Sequence, residues 1–185
     1  MKKDINSNRY IFLYSTVLVL VVAVLLTAAA LWLQPYQEQN RENEKRVMIL
    51  SAAGATKEGT IIFVDGSLPV YLVNDTVTVI PMQGNGLWGS IWGYLASAAD
   101  GKTVAGVSFD HKSETPGLGD EITTEKFQSQ FAGKQIMDNG NMVPIEFDAI
   151  TGATKTSNGV KEMIDKTLEV YEPFFEKHEN DKQMK

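Results

Sequence analysis

The spacing of apolar positions changes along this chain and predicts a different element for each pattern. From Ile11 to Leu33, "IFLYSTVLVLVVAVLLTAAALWL", 23 residues pass without a charge. As a helix the run spans roughly 34 Å at ~1.5 Å per residue, enough for a ~30 Å hydrocarbon layer. Tyr10, Phe12 and Tyr14 lie near one end, Trp32 and Tyr36 near the other, as in an interfacial aromatic belt. The alternative is a cleaved signal peptide cut after Ala28-Ala29-Ala30, but signal apolar regions run ~7–15 residues, shorter than this one. A transmembrane helix over 11–33 is therefore expected. Pro35 ends or restarts it. Helix formers over 37–52, with Val47, Ile49 and Leu50 late in the run, predict a polar stalk over 34–58, with Gly54 as a helix stop.

From residue 59 the pattern becomes that of strands. "GTIIFVDGSLPVYLVNDTVTVIPM" has β-branched runs broken at Asp65-Gly66 and Asn74-Asp75, both turn signals. Further strands are expected within 89–100, 102–111 and 142–149, with a hairpin turn at 99–102. A short amphipathic helix is expected over 123–133. Val160, Met163, Ile164, Leu168, Tyr171 and Phe175 recur at helical spacing, and residues 179–185 read as a frayed tail. The fold class predicted is α+β: an antiparallel-rich sheet with packed helices over 59–178, preceded by a single N-terminal membrane helix.

Charge and composition narrow the chemistry. The net charge is −6; residues 1–10 carry +2 (Lys2, Lys3 and Arg9 against Asp4), residues 11–33 none, and the remainder −8. An acidic body argues against a nucleic-acid partner. With no cysteine, disulfides, Cys-ligated zinc and a protein-held iron–sulfur cluster are excluded, and two histidines, His111 and His178, make a His-rich metal site unexpected. Lys2, Lys3 and Arg9 before the span are matched in number by Arg41, Lys45 and Arg46 after it. The closer basic residues on the N-terminal side and the large acidic domain favour residues 1–10 in the cytoplasm and the domain outside.

The tetrapeptide Gly-Ala-Thr-Lys occurs twice, at 54–57 and 152–155. The first copy follows a helical run and reads as a stop. The second follows the expected strand "VPIEFD" and precedes the long helix, with Thr156, Ser157 and Asn158 as N-cap types. Free N–H groups and the helix dipole favour an anion beside Thr154, while Gly152 and Ala153 allow close approach to the backbone; a polar turn capping a helix is the bland alternative. A P-loop is excluded for lack of Gly-Lys-Ser/Thr. In "HKSETPGLGDEI", Pro116 fixes one φ and Gly117 and Gly119 free others, so the loop can offer N–H groups, with Leu118 as an apolar contact. Within "GNGLWGSIWGYLA", Trp88 suits a flat aromatic ligand and Trp92 suits the core.

These motifs carry a resemblance. "DAITGATKTSNGV" resembles the flavinylation motif of covalently flavinylated membrane proteins, and "ETPGLG" a second signature of the same FMN-binding domain. With "GLWGSIWGYLA" and the N-terminal anchor, the chain resembles the family of C subunits of the Na+-translocating NADH:quinone oxidoreductases over nearly its whole length. The G subunits of Rnf-type ferredoxin:NAD oxidoreductases share the first two motifs. The short connection between stalk and first strand departs from the family pattern. The resemblance implies FMN joined through its phosphate to the Thr154 hydroxyl, transferred from FAD by a separate Mg2+-dependent flavin transferase. It also implies an electron-relay role, without catalysis by this chain alone, beside integral membrane and flavin or iron–sulfur subunits in a bacterial inner membrane. Gly152, Ala153, Thr156, Ser157 and Asp148 would surround the attachment point, Asp148 serving the loop or acceptor recognition. Glu114, Thr115, Pro116, Gly117, Leu118, Gly119 and Trp88 would meet the ring or ribityl chain. No resident metal is implied. A stand-alone tethered flavoprotein and a non-redox binding domain are the remaining readings.

Overall fold

A computed structural model of the chain describes residues 8–56, 59–64, 68–138 and 141–183, with side chains described as far as Glu176. The chain divides into two compact units, Met1–Glu44 and Lys45–Lys185. The described part of the first is helical. Helix α1, Asn8–Ala52, begins there and runs without interruption through Pro35. Proline removes one rung of the hydrogen-bond ladder, and here that loss does not end the helix. Ser15, Thr16 and Thr27 each turn their hydroxyls back onto the carbonyl four residues earlier at 2.8 Å, which satisfies them within the helix itself. Among the described residues α1 is the one helix long and apolar enough to cross a membrane, by length and composition.

The second unit is built on a five-stranded antiparallel meander: β1 Ile61–Val64, β2 Val70–Val73, β3 Val77–Asn85, β4 Ser90–Ser97 and β5 Val104–His111, in that spatial order. Asn74 and Asp75 both adopt positive φ (51° and 59°) between β2 and β3, as the turn signal required. The Asp100 carboxylate closes the β4–β5 turn by accepting from the backbone N–H groups of Lys102 and Thr103. The expected turn at Asp65-Gly66 lies outside the described residues.

Both faces of the sheet are covered, which is why its apolar residues are often adjacent in sequence. Ile80 and Met82 of β3, with Ile91 and Leu95 of β4, face one core. Val79, Tyr94 and Ala96 face the other. A β-bulge opposite Ala96 and Ser97 shifts the alternation in β5, so that Val104 and Val107 both reach the first core. Helix α3, Thr154–Gln183, covers that first face with Val160, Met163, Ile164, Leu168, Tyr171 and Phe175. Ile49, Leu50 and Ala52, at the end of α1, are buried in the second core. The last turns of the expected stalk thus pack into the sheet's domain.

Three expected elements differ. The helix expected over 123–133 is a 3-10 turn, Gly119–Thr123, followed by the single-turn helix α2, Glu125–Gln128. The strand expected at 142–149 is absent: Met137–Asp138 (β6) pairs with Asn141–Met142 (β7), and residues 143–150 form no ladder. Pro144 has no N–H to contribute, and side chains hold the segment instead. Ile145 is buried, and Phe147 packs 4.8 Å from Phe131 and 5.5 Å from Phe127, centroid to centroid. Lys134 donates to the Glu146 carbonyl, and Lys161 meets the Glu146 carboxylate at 2.8 Å. Finally, α3 begins at Thr154 itself, so Thr156 and Ser157 lie inside its first turn and are not its caps.

Candidate functional site

The two Gly-Ala-Thr-Lys copies sit at opposite helix ends. Gly54 (φ +63°) follows α1, and the Ala55 N–H donates back to the Leu50 carbonyl at 2.9 Å, closing the helix. Gly152 (φ +81°) precedes α3, after the Ala153 N–H has bonded to the Ile150 carbonyl at 3.0 Å. The Ala153 carbonyl then accepts the first helical bond from Ser157 N–H. Alanine in this position has no side chain to cap with. The first turn of α3 holds no acidic residue, and its N–H groups and the positive end of its dipole lie at this loop. The Thr154 side chain is exposed beside them.

The expected caps have other partners. The buried Ser157 hydroxyl donates to the Ala153 carbonyl at 3.1 Å and accepts from Ile150 N–H at 3.0 Å, fixing the loop that enters the helix. Thr156, also buried, donates to Glu114 Oε2 at 2.6 Å. Glu114 is only 5% exposed, and its Oε1 accepts from Trp88 N–H at 2.9 Å. One carboxylate therefore joins three stretches of chain: the loop after β3, the loop after β5 and the first turn of α3. Contact between Gly159 of α3 and the end of β3 makes this junction close. A Cβ on Gly159 would lie 2.2 Å from the Asn85 carbonyl oxygen.

Large apolar side chains are exposed around this junction. Trp88 is 67% exposed and Leu118 39%, while Leu118 Cδ2 lies 3.0 Å from where a Cβ on Gly152 would stand. Thr115 closes the Leu118 turn by accepting from Leu118 N–H at 3.1 Å, Pro116 and Gly117 (φ +73°) are exposed, and Gly119 is buried against Glu114. Asp148 is exposed. Its backbone is clamped by the Gln130 amide, which accepts from its N–H at 2.8 Å and donates to its carbonyl at 3.4 Å. A cleft of about 520 Å³ opens on this side, lined by Glu121, Thr124, Lys126, Gln130, Asp148 and Thr151 among others. On the outer side of α3 the Lys161 ammonium, hydrogen-bonded to Glu146, holds that carboxyl below its usual range.

The structure thus brings Trp88, Glu114, Leu118, Gly119, Gly152, Ala153, Thr154, Thr156 and Ser157 together. Glu114 and Thr156 are buried and turned to each other, and Trp92 is half-buried on β4. Sequence reasoning passed over His111, whose Nδ1 accepts from Glu114 N–H at 3.1 Å; Ser113, whose hydroxyl donates to the Trp88 carbonyl at 3.2 Å; and Gln130. His111 and Ser113 stand in the same stretch as the glycine loop, a signal that was available. Gln130 carried none. An exposed hydroxyl and the N–H donors of a helix N-terminus beside solvent-facing tryptophan and leucine can hold an anion at one end of a ligand and a flat apolar group at the other.

Residues 86–169 match the FMN-binding domain family. The chain is similar to the C subunit of the Na(+)-translocating NADH-quinone reductase from Vibrio anguillarum, 34% identical over 113 residues that cover 52% of this chain and 44% of that protein. The Pasteurella multocida protein of the same name is 42% identical over 108 residues, covering 49% and 42%. The chain spans less than half the length of these curated relatives. Among solved structures, the C subunit of the same reductase from Parabacteroides distasonis matches with a TM-score of 0.65 at 29% identity, covering 77% of this chain and 96% of that one. NqrC from Shewanella oneidensis, at 22% identity and TM-score 0.66, shares the fold. The resemblance read from the motifs and the α+β fold class are both borne out. The residues at the site fit FMN: α3 offers donors to a phosphate, and Trp88 and Leu118 offer apolar surface to a ring.

Proposed function

We propose that this chain is the electron-relay subunit of a redox-driven, Na+-pumping NADH:quinone reductase, carrying FMN through a phosphoester on Thr154. The observation that carries the reading is the convergence of an exposed threonine hydroxyl, a helix N-terminus and two exposed apolar side chains on residues that match the FMN-binding domain family. When bound, FMN supplies reversible uptake and release of electrons. Thr154 contributes the bridging oxygen. The N–H groups of the first turn of α3 would hold the phosphate, and Trp88 and Leu118 would offer apolar surface to the ring. Gly152 and Ala153 keep the approach clear. Ser157 fixes the loop, and Asp148, held by Gln130, serves recognition of the acceptor.

Thr154 does not activate itself. A threonine hydroxyl needs a base or metal to act as a nucleophile near neutral pH. A separate Mg2+-dependent flavin transferase would supply the activation: the Thr154 oxygen would take the FMN phosphoryl group from FAD, with AMP leaving and the hydroxyl proton passing to the transferase. The helix over 11–33 anchors the chain in a bacterial inner membrane, with residues 1–10 cytoplasmic and the flavin domain, residues 59–178, on the far side. Integral membrane and flavin or iron–sulfur subunits are its electron partners.

The test is intact-mass measurement and peptide mapping of the chain co-expressed with a flavin transferase. An FMN adduct is expected on the Thr154 peptide, absent in Thr154→Val and retained in Thr56→Val. An unmodified Thr154 in a protein flavinylated elsewhere refutes the reading.

A further inference from the structure

Glu114 differs from its neighbours in "ETPGLG" because it faces inward. It is 5% exposed, and both carboxylate oxygens accept: Oε1 from Trp88 N–H at 2.9 Å and Oε2 from the Thr156 hydroxyl at 2.6 Å. Its own N–H is held by His111 Nδ1 at 3.1 Å. No cation forms a salt bridge with it among the described residues. A buried carboxylate without its donors is costly, so the donors and the acceptor fix one another. The surroundings leave little slack. A Cβ on Gly86 would stand 2.4 Å from Oε1, and one on Gly119 2.5 Å from Oε2.

The effect on Trp88 is specific. Glu114 holds its N–H and Ser113 its carbonyl at 3.2 Å, while Gly86 N–H bonds to the Gly89 carbonyl at 2.8 Å across the loop. The backbone is pinned at both ends, yet the indole remains 67% exposed. The other oxygen of the same carboxylate grips α3 two residues after Thr154. Trp88 and Thr154 belong to elements far apart in sequence, and nothing in either loop's own geometry sets their separation.

We infer that Glu114 is a positioning residue that locks the Trp88 loop to the first turn of α3, setting the indole's place relative to Thr154, and is not itself a contact to the flavin. The inference rests on the flavin reading for its consequence, but the lock is a property of the unmodified chain. A full-size apolar ring held at a fixed offset from its tether needs such a link, because a phosphoester alone leaves the ring free to rotate.

Two measurements test it on the full chain, prepared with and without flavin transferase. In unmodified protein, hydrogen exchange at the Trp88 amide should quicken about tenfold in Glu114→Ala, the usual effect of losing one such bond. It should stay within about threefold of wild type in Glu114→Gln, whose amide oxygen still accepts from Trp88 while the Thr156 hydroxyl rotates to accept from the amide nitrogen. Thr156→Val, which frees Oε2 without touching Trp88, should also quicken exchange and covers the case in which Glu114→Ala does not fold. In flavinylated protein the induced circular dichroism of the flavin should weaken in Glu114→Ala and recover in Glu114→Gln. Unchanged Trp88 exchange in every variant that folds overturns the inference, as does an unchanged flavin signal alongside faster exchange. Absence of any adduct on wild-type Thr154 overturns the flavin reading instead and leaves the exchange result to decide the lock.

Discussion

Gly159→Ala is the most direct probe of how α3 is seated on the sheet. The added Cβ would stand 2.2 Å from the Asn85 carbonyl oxygen, 3.2 Å from Asn85 C and 3.4 Å from Gly86 Cα. The first distance is roughly 1 Å inside ordinary contact, and the obstacle is backbone, which cannot rotate aside. The start of α3 must therefore move off β3 by a comparable amount. Overpacking of this kind costs about 1–3 kcal/mol, and alanine returns up to about 1 kcal/mol of helix propensity. Because the obstacle is backbone, the cost falls at the upper end of that range, and the net expectation is a loss of about 2 kcal/mol. The same shift lengthens the 2.6 Å bond between Thr156 and Glu114 beyond hydrogen-bonding reach, so the damage should extend to the Trp88 loop. Urea unfolding of the full chain in detergent, followed by far-ultraviolet circular dichroism, measures the first effect, and Trp88 amide exchange the second. Asn158→Ala, at the exposed neighbouring position, is the control and should be near neutral. If Gly159→Ala proves as stable as that control, the close seating of α3, and the geometry built on it, is wrong.

The paired glycines give a second expectation. Gly54→Ala meets no atom within 4 Å and should cost about 1 kcal/mol through its positive φ alone, leaving flavinylation intact. Gly152→Ala also presses on Leu118 and should lower both the unfolding midpoint and the adduct yield. Tyr171 donates to the Pro69 carbonyl at 2.7 Å, and burial, with a smaller contribution from Tyr71, pushes its hydroxyl up to about 12. Its folded pKa lies above the unfolded value of ~10, so its contribution is intact below about pH 10 and is lost as pH rises toward 12. In Tyr171→Phe, pH-dependent melts should lack that alkaline loss and start about 1 kcal/mol lower. Gln130→Ala removes both bonds to the Asp148 backbone and should quicken Asp148 amide exchange about tenfold while barely moving the global midpoint.

What could be read from the sequence followed from interactions local in the chain. The charge-free run over 11–33, the stop at Gly54, the turns at 74–75 and 99–102 and the apolar stripe of α3 each depend on dihedral preference or periodicity within a few residues. Thr154 stood out for the same reason, since its neighbours on both sides mark a helix entrance. The expected strand at 142–149 failed because its apolar spacing serves Phe147 and Ile145 packing against Phe127, Phe131 and the core, with no partner strand to ladder with. The expected caps failed because α3 starts at Thr154, which puts Thr156 inside the first turn, where its hydroxyl donates to Glu114.

The sequence by itself determined the two long helices, the runs that form the main sheet, where most of them turn, and which hydroxyl opens α3. Only the tertiary structure decided that the end of α1 would share the sheet's second core, and that Glu114, 26 residues from Trp88 and 42 from Thr156, would bind the two together. A buried carboxylate looks like any surface glutamate in a list of residues. Its role comes from donors that meet it only once the sheet and α3 have excluded water, and no local pattern encodes that meeting.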